Sequence, residues 1–220
     1  MRLYYLTSFQ NAISNIALQR IKISRFSDLN DPFELLGVDL SNRIDRKKFR
    51  EIKEKVNNEK GLICLSDNWK SPVMWGHYAD KHRGIALGFD IDEKIVKKVN
   101  YSNNLHKINS MADKIDITNE FIENLMTTKF SSWAYENEKR IFIKLSNNKN
   151  EGGLFFEPFS EKIKLKNVIL GPNCSCKVSE MRKFLKKHDK KVIVIKSRIA
   201  FSSYQVLKNK IASKLDKEGK

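Results

Sequence analysis

The order of the short apolar runs constrains the fold more than any other feature of the sequence. Runs at residues 2–6, 21–24, 61–66, 85–89, about 138–145, 154–157, 163–170, 191–196 and 199–203 have the length and boundaries of strands. Helical patterns interrupt them irregularly. Ser8 is placed to cap a helix whose apolar positions Phe9, Ala12, Ile13, Ile16 and Ala17 share one face. Residues 45–59 read as a charged helix without a strong apolar face. Ser71-Pro72 starts another, expected to reach about His82 and to stop at Gly84. Residues 113–129, with Ile115, Ile122, Leu125 and Met126, read as a helix. So do 178–187 and a charged C-terminal segment. A doubly wound parallel sheet requires strands and helices in strict alternation, which this order excludes. The expected fold is α+β, with curved, largely antiparallel sheets and helices at the margins. It forms one domain over residues 1–220 with a basic helical tail from about 205. Residues 146–153 read as a hairpin loop.

Charge narrows the choice of partners. The formal net charge is +16, and the last 44 residues hold fourteen Lys/Arg against four acids. Such an end attracts nucleic acid or another polyanion. The cations are 32 Lys and only 10 Arg, whereas base-edge and bidentate phosphate contacts favour Arg. Asn and Ile are abundant, as AT-biased coding alone would produce. No apolar run approaches the roughly 18–20 residues of a membrane span, and "MRLYYLTSFQNAISNIALQR" lacks the pattern of a signal peptide. The expectation is a cytoplasmic protein without a membrane partner. Three cysteines, Cys64, Cys174 and Cys176, form no disulfide framework. The Cys-Ser-Cys pair would need His188 or another distant residue to complete a zinc site, so no metal is expected.

Three polar clusters carry the candidate chemistry. In "LNDPFE" (29–34), Asn30 and Asp31 can close an Asx-type turn, with Phe33 as an anchor and Glu34 beginning a short helix. The functional alternative is a loop presenting Asn30, Asp31 and Glu34 to a polar ligand. On the helix after Pro72, Trp75, Tyr78, Ala79 and His82 share a face, which reads either as core or as an aromatic platform, with His77 or Tyr78 as proton donor. In "SSWAYENEKRIF" (131–142), a strand would project Glu136, Glu138 and Arg140 from one side and Ile141, Ile143 and Leu145 from the other. Paired carboxylates beside an arginine suit a cleft in which fixed negative charge contacts a ribose hydroxyl and stabilises an oxocarbenium-like transition state. The nine glycines form no phosphate-binding loop.

Taken in order, "LNDPFE", "CLSDNW", "VMWGHYADKHRGIALGFD" and "WAYENEKRIF" resemble the bacterial family catalogued as domain of unknown function 2971, from the first strand to about Gly171. The chain departs from that pattern with Gly76 in place of a serine and with Leu3-Tyr4-Tyr5 in place of Tyr-Lys-Tyr. The layout is also similar to ADP-ribosyltransferase-type folds, which draw on an early strand, a middle serine or aromatic and a late Glu-x-Glu. It lacks their Ser-Thr-Ser stretch and N-terminal histidine. That likeness implies NAD as cofactor and Glu138, Glu136, Tyr78 and His77 as catalytic residues. Tyr5 (or Tyr4), Asn30, Asp31, Glu34, Ser66, Trp75 and Arg140 would bind the cofactor. Within it, Glu138 contacts the nicotinamide ribose, Glu136 orients the acceptor, and Tyr78 or Trp75 stacks on the ring. The activity implied is ADP-ribosyl transfer by a toxin or phage-defence effector to nucleic acid or protein. The alternative is a non-enzymatic nucleic-acid-binding module of a defence system, acting through the basic C-terminal third.

Overall fold

The computed structural model describes residues 1–107, 118–188 and 191–215. Its strands are β1 (Arg2–Thr7), β2 (Arg20–Ile23), β3 (Lys60–Ser66), β4 (Ile85–Ile91), β5 (Lys97–Lys98), β6 (Asn100–Ser102), β7 (Thr128–Phe130), β8 (Glu138–Lys144), β9 (Phe155–Pro158), β10 (Ile163–Leu170), β11 (Ile193–Ile199) and β12 (Val206–Lys208). The α-helices are α1 (Phe9–Ala17), α2 (Arg43–Glu59), α3 (Pro72–Tyr78), α4 (Asn119–Met126), α5 (Val178–Leu185) and α6 (Lys210–Leu215). The class is mixed α+β. Eight strands form one sheet in the order β12-β11-β10-β4-β1-β3-β8-β5, and β10 with β11 is its parallel pair.

Alternation in the central strands divides the core. Leu3, Leu87, Phe89 and Leu165 pack with Ala12 and Ile16 of α1 and Met181 and Leu185 of α5. On the opposite side, Leu6, Ala86 and Ile169 meet Met74 and Trp75 of α3. A third cluster joins Phe49 and Val56 of α2 to Leu62, Phe26 and Leu35. Residues 45–59 therefore do have an apolar face, which the dense charge of the segment obscured. Ile141, Ile143 and Leu145 point into the main core as their alternation requires.

The sheet is split between β1 and β3. β1 pairs with β4 over six consecutive residues, yet meets β3 in the single register pair Tyr4–Ser66. β3 continues on its other side with β8 through seven pairs, including Cys64–Arg140 and Ser66–Glu138. Two well-paired blocks thus diverge from one point and leave a wedge between β1 and β3.

Several boundaries differ from those expected. α3 ends at Tyr78, because Asp80, Lys81 and His82 all adopt the left-handed region, with φ of 44°, 51° and 70°. Gly84 is required for space and not as the helix cap. A β-carbon there would lie 2.2 Å from the Thr7 carbonyl oxygen and 2.9 Å from the Ala79 backbone. Gly84→Ala is expected to cost about 1–3 kcal/mol through forced backbone shifts, read as a lower urea midpoint at unchanged m-value.

Of the helix expected over 113–129, α4 covers 119–126 and residues 128–130 are a strand. Residues 113–117 lie outside the described residues. Residues 200–205 form the loop of a hairpin, so the strand expected at 199–203 is β12 instead. The C-terminal tail is consequently not helical from 205. α6 begins at Lys210, and residues 216–220 lie outside the described residues.

Candidate active site

The wedge between β1 and β3 holds a cavity of about 220 Å³. Tyr4, Tyr5 and Leu6 of β1 line one side, and Cys64, Leu65 and Ser66 of β3 the other. Asn30, Glu34, Tyr78, Lys129, Glu136 and Glu138 complete the wall. Side chains from five separate stretches of sequence therefore meet at the one place where the sheet opens.

Beneath the cavity lies a buried charge network. Arg140 is fully buried, and all five of its N–H donors are used. Its Nη1 and Nη2 hold Glu34 in a bidentate pair at 3.0 and 2.5 Å. Nε and Nη2 donate to Glu138 at 2.8 and 3.2 Å, and Nη1 also donates to the Met126 carbonyl at 2.7 Å. Lys129 Nζ donates to Glu136 at 2.6 Å and to Glu138 at 3.2 Å, and lies 3.9 Å from Glu34. The ammonium also sits 4.7 Å from the centroid of the Trp133 ring.

Three carboxylates against two cations leave this cluster one negative charge in excess when all are ionised. Such a cluster is costly to bury unless its lone pairs are occupied. Glu138 meets that condition, with donors from Arg140, Lys129 and the Cys64 thiol. Burial pushes its carboxyl up, but Arg140 and then Lys129 outweigh burial and hold it at about 2. Among the described residues Glu136 accepts from Lys129 and from the Tyr78 hydroxyl only, which leaves it acceptor capacity toward the cavity. Burial first of all keeps the Glu136 and Glu34 carboxyls above their ordinary range. Burial, followed by the neighbouring Glu136, pushes the Tyr78 phenol far up, so it stays a proton donor. Burial also raises Tyr5, to about 12.

These shifts act on stability with opposite signs. Glu138, depressed from 4.5, stabilises the fold above its unfolded value, and that contribution disappears as pH falls from 4.5 towards 2. Glu34 and Glu136, raised by burial, cost stability above their unfolded value. The stability gap between wild type and Glu138→Gln should shrink as pH falls below 4.5, where Glu138 loses its contribution, a change offset in part by relief of its repulsion of Glu34 and Glu136. Urea unfolding across the acid range measures it, and a pH-independent gap would contradict the assignment.

Local structure explains how Glu136 and Glu138 converge. They do not lie on one strand. Glu136 ends a 3₁₀ turn over Ser131–Glu136, Asn137 takes the left-handed conformation, and the strand starts at Glu138. Ser66 Oγ donates to the Glu136 carbonyl at 2.6 Å and pins this turn to β3. The Glu138 amide donates to the Tyr101 hydroxyl at 2.8 Å. Asn30 Nδ2 donates to the Tyr78 hydroxyl at 2.7 Å, extending a chain from Asn30 through Tyr78 to Glu136 and Lys129.

The sequence-derived candidates thus separate into two groups. Tyr5, Asn30, Glu34, Ser66, Tyr78, Glu136 and Glu138 line the cavity. The others do not. Trp75 is fully buried and donates its indole N–H to the Trp69 carbonyl at 2.6 Å, so it has no face for stacking on a ligand. Arg140 lies beneath the cavity and holds the carboxylates. Asp31 is buried and accepts from the Phe33 amide at 2.9 Å, closing the Asx turn. The turn continues into no helix at Glu34, and Phe33 is 62% exposed, so it anchors nothing. His77 is exposed, 3.1 Å from the Tyr135 hydroxyl and edge-on to the Tyr78 ring.

Residues 74–141 match the model of a family described as protein of unknown function, DUF2971. Over this segment the chain is similar to DUF2971. The match runs from within α3 through the Glu-x-Glu segment to Arg140, and takes in Tyr78, Lys129, Glu136 and Glu138 of the cavity wall. No curated protein and no solved structure matches the chain.

The sequence patterns did not single out Lys129, Cys64 or Tyr101. Lys129 had one detectable signal: three acids around a single arginine need a second cation before they can be buried together. Cys64 and Tyr101 had none. Among the described residues, no three His, Cys, Asp or Glu side chains gather as a metal-ligand set.

Proposed function

We propose that this protein is an ADP-ribosyltransferase-like enzyme that uses NAD and modifies a nucleic acid or a protein. The observation that carries the reading is the convergence of Tyr4 and Tyr5, Ser66, Tyr78 and the Glu136–Glu138 pair on one cavity at the split in the sheet. NAD supplies a bond between a cationic pyridinium nitrogen and ribose C1′, whose electron pair leaves with neutral nicotinamide. An anionic cavity flanked by tyrosines suits that cationic ring. At about 220 Å³ it accommodates the nicotinamide end of the dinucleotide, with the remainder outside.

Each residue then has a defined task. Glu136, which retains acceptor capacity, bonds a ribose hydroxyl and places negative charge beside the positive charge that develops on the sugar. It is also the group able to receive the proton lost by the acceptor nucleophile. Tyr78, joined to Asn30, fixes one Glu136 oxygen, and Lys129 fixes the other. Glu138 and Arg140 act as positioning residues that hold this arrangement in place. This assignment exchanges the two glutamates relative to the family-type analogy, because the oxygens of Glu138 are already occupied.

Calorimetric titration with NAD tests the reading. Saturable binding is expected, with free nicotinamide competing for the same site. Absence of heat up to millimolar NAD would refute it.

A further inference from the structure

The hairpin at the outer edge of the sheet is distant in sequence from the cavity motifs and has its own chemistry. Phe201 and Tyr204 are 93% and 98% exposed, the extreme values among the large apolar and aromatic side chains described. They lie at the tip between β11 and β12, in a loop closed by the Ala200 amide donating to the Gln205 carbonyl at 2.9 Å. Two bare aromatic rings on one short loop are unfavourable in water unless something covers them.

The surroundings identify what covers them. From Lys190 to Leu215 the chain has seven Lys/Arg and no acid. The Arg198 guanidinium lies 4.5 Å from the centroid of the Phe201 ring, and Lys208 and Lys210 are exposed just beyond the loop. Exposed Lys70 is beside them, its carbonyl accepting from the Val206 amide at 2.8 Å. The loop itself adds Ser202, Ser203 and Gln205, neutral groups that repel no phosphate. Rings for stacking within a uniformly positive border are what unpaired bases on an anionic backbone require. A duplex offers no base faces, and an apolar protein partner would gain nothing from the cations.

We propose that Phe201 and Tyr204 form a stacking platform for single-stranded nucleic acid, with Arg198, Lys208, Lys210 and Lys70 contacting its phosphates. β12 anchors the platform by burying Val206 in the cluster that contains Met74, Trp75 and Tyr78. The inference uses none of the cavity chemistry and stands whether or not NAD is cleaved.

Fluorescence anisotropy with the whole chain tests it, using labelled oligothymidylate and oligouridylate of about 20 nucleotides at about 50 mM salt. Saturable binding is expected to at least one of them, and stronger than to a duplex of equal length. The double variant Phe201→Ala/Tyr204→Ala should bind roughly tenfold or more weakly with an unchanged salt slope, because no charge is lost. Lys208→Gln/Lys210→Gln should flatten that slope. Phe201→Trp should retain affinity, with indole emission quenched by the bound strand. No binding at low salt would overturn the proposal, as would an affinity indifferent to the double alanine variant. So would a duplex bound as tightly as the single strand, or a self-associating wild type that the double variant turns monomeric without any nucleic-acid binding.

Discussion

Arg140→Met should destabilise the protein by about 3–5 kcal/mol, the range for breaking a buried ion pair from one side. The wild-type guanidinium uses five donors on Glu34, Glu138 and the Met126 carbonyl. Methionine fills comparable space but donates nothing. Lys129 would then be the one remaining cation among three buried carboxylates. At least one must take up a proton or admit water, and the turn that carries Glu136 loses its support. Thermal unfolding should shift down by roughly 6–20 °C for a chain of this size. Arg140→Lys should recover little, because an ammonium cannot reproduce the bidentate fork to Glu34 or reach all three partners at once. A loss below about 1 kcal/mol would mean that the network is far more hydrated than its burial implies.

The second large effect concerns rate. Glu136→Gln should reduce nicotinamide release by a factor on the order of 100 to 1000, the usual consequence of removing one charged group that acts on the transition state. The fold should survive, since glutamine keeps the shape and one acceptor oxygen, and Arg140 still holds Glu34 and Glu138. NAD binding should weaken far less than turnover, because the lost charge matters most when positive charge develops on the sugar. Glu138→Gln should give the reverse pattern: a clear stability loss and an activity loss that follows the folded fraction. If Glu138→Gln abolished turnover in a stable protein while Glu136→Gln spared it, the two roles would have to be exchanged.

Much of the site was legible in the sequence, though its geometry was not. The motifs "LNDPFE", "CLSDNW" and "WAYENEKRIF" lie more than a hundred residues apart at their extremes, yet side chains from each line the cavity. Period-two alternation placed Ile141, Ile143 and Leu145 in the core correctly, because that rule depends only on the pleat. It failed one step upstream. Asn137 turns left-handed, so Glu136 comes from a 3₁₀ turn and reaches the cavity by another path. Asparagine tolerates that conformation, but its presence alone does not require it.

Trp75 illustrates the opposite limit. Its helical spacing fits a buried face and a ligand platform equally well, and only the packing of Leu6, Ala86 and Val206 around α3 decides for burial. The split between β1 and β3 is a property of pairing across the sheet. No local pattern in either strand encodes where their shared ladder ends. Lys129 was hidden for a similar reason: it stands two residues before "SSWAYENEKRIF", but its position is fixed by a parallel pairing with Tyr101 of β6 that no local pattern encodes.

The most direct test of the central claim is a time course of nicotinamide released from NAD, with wild type and Glu136→Gln compared at equal folded concentration. Steady release by the wild type is expected, with a loss of at least about two orders of magnitude in the variant. No release by the wild type, or equal release by both, would contradict it.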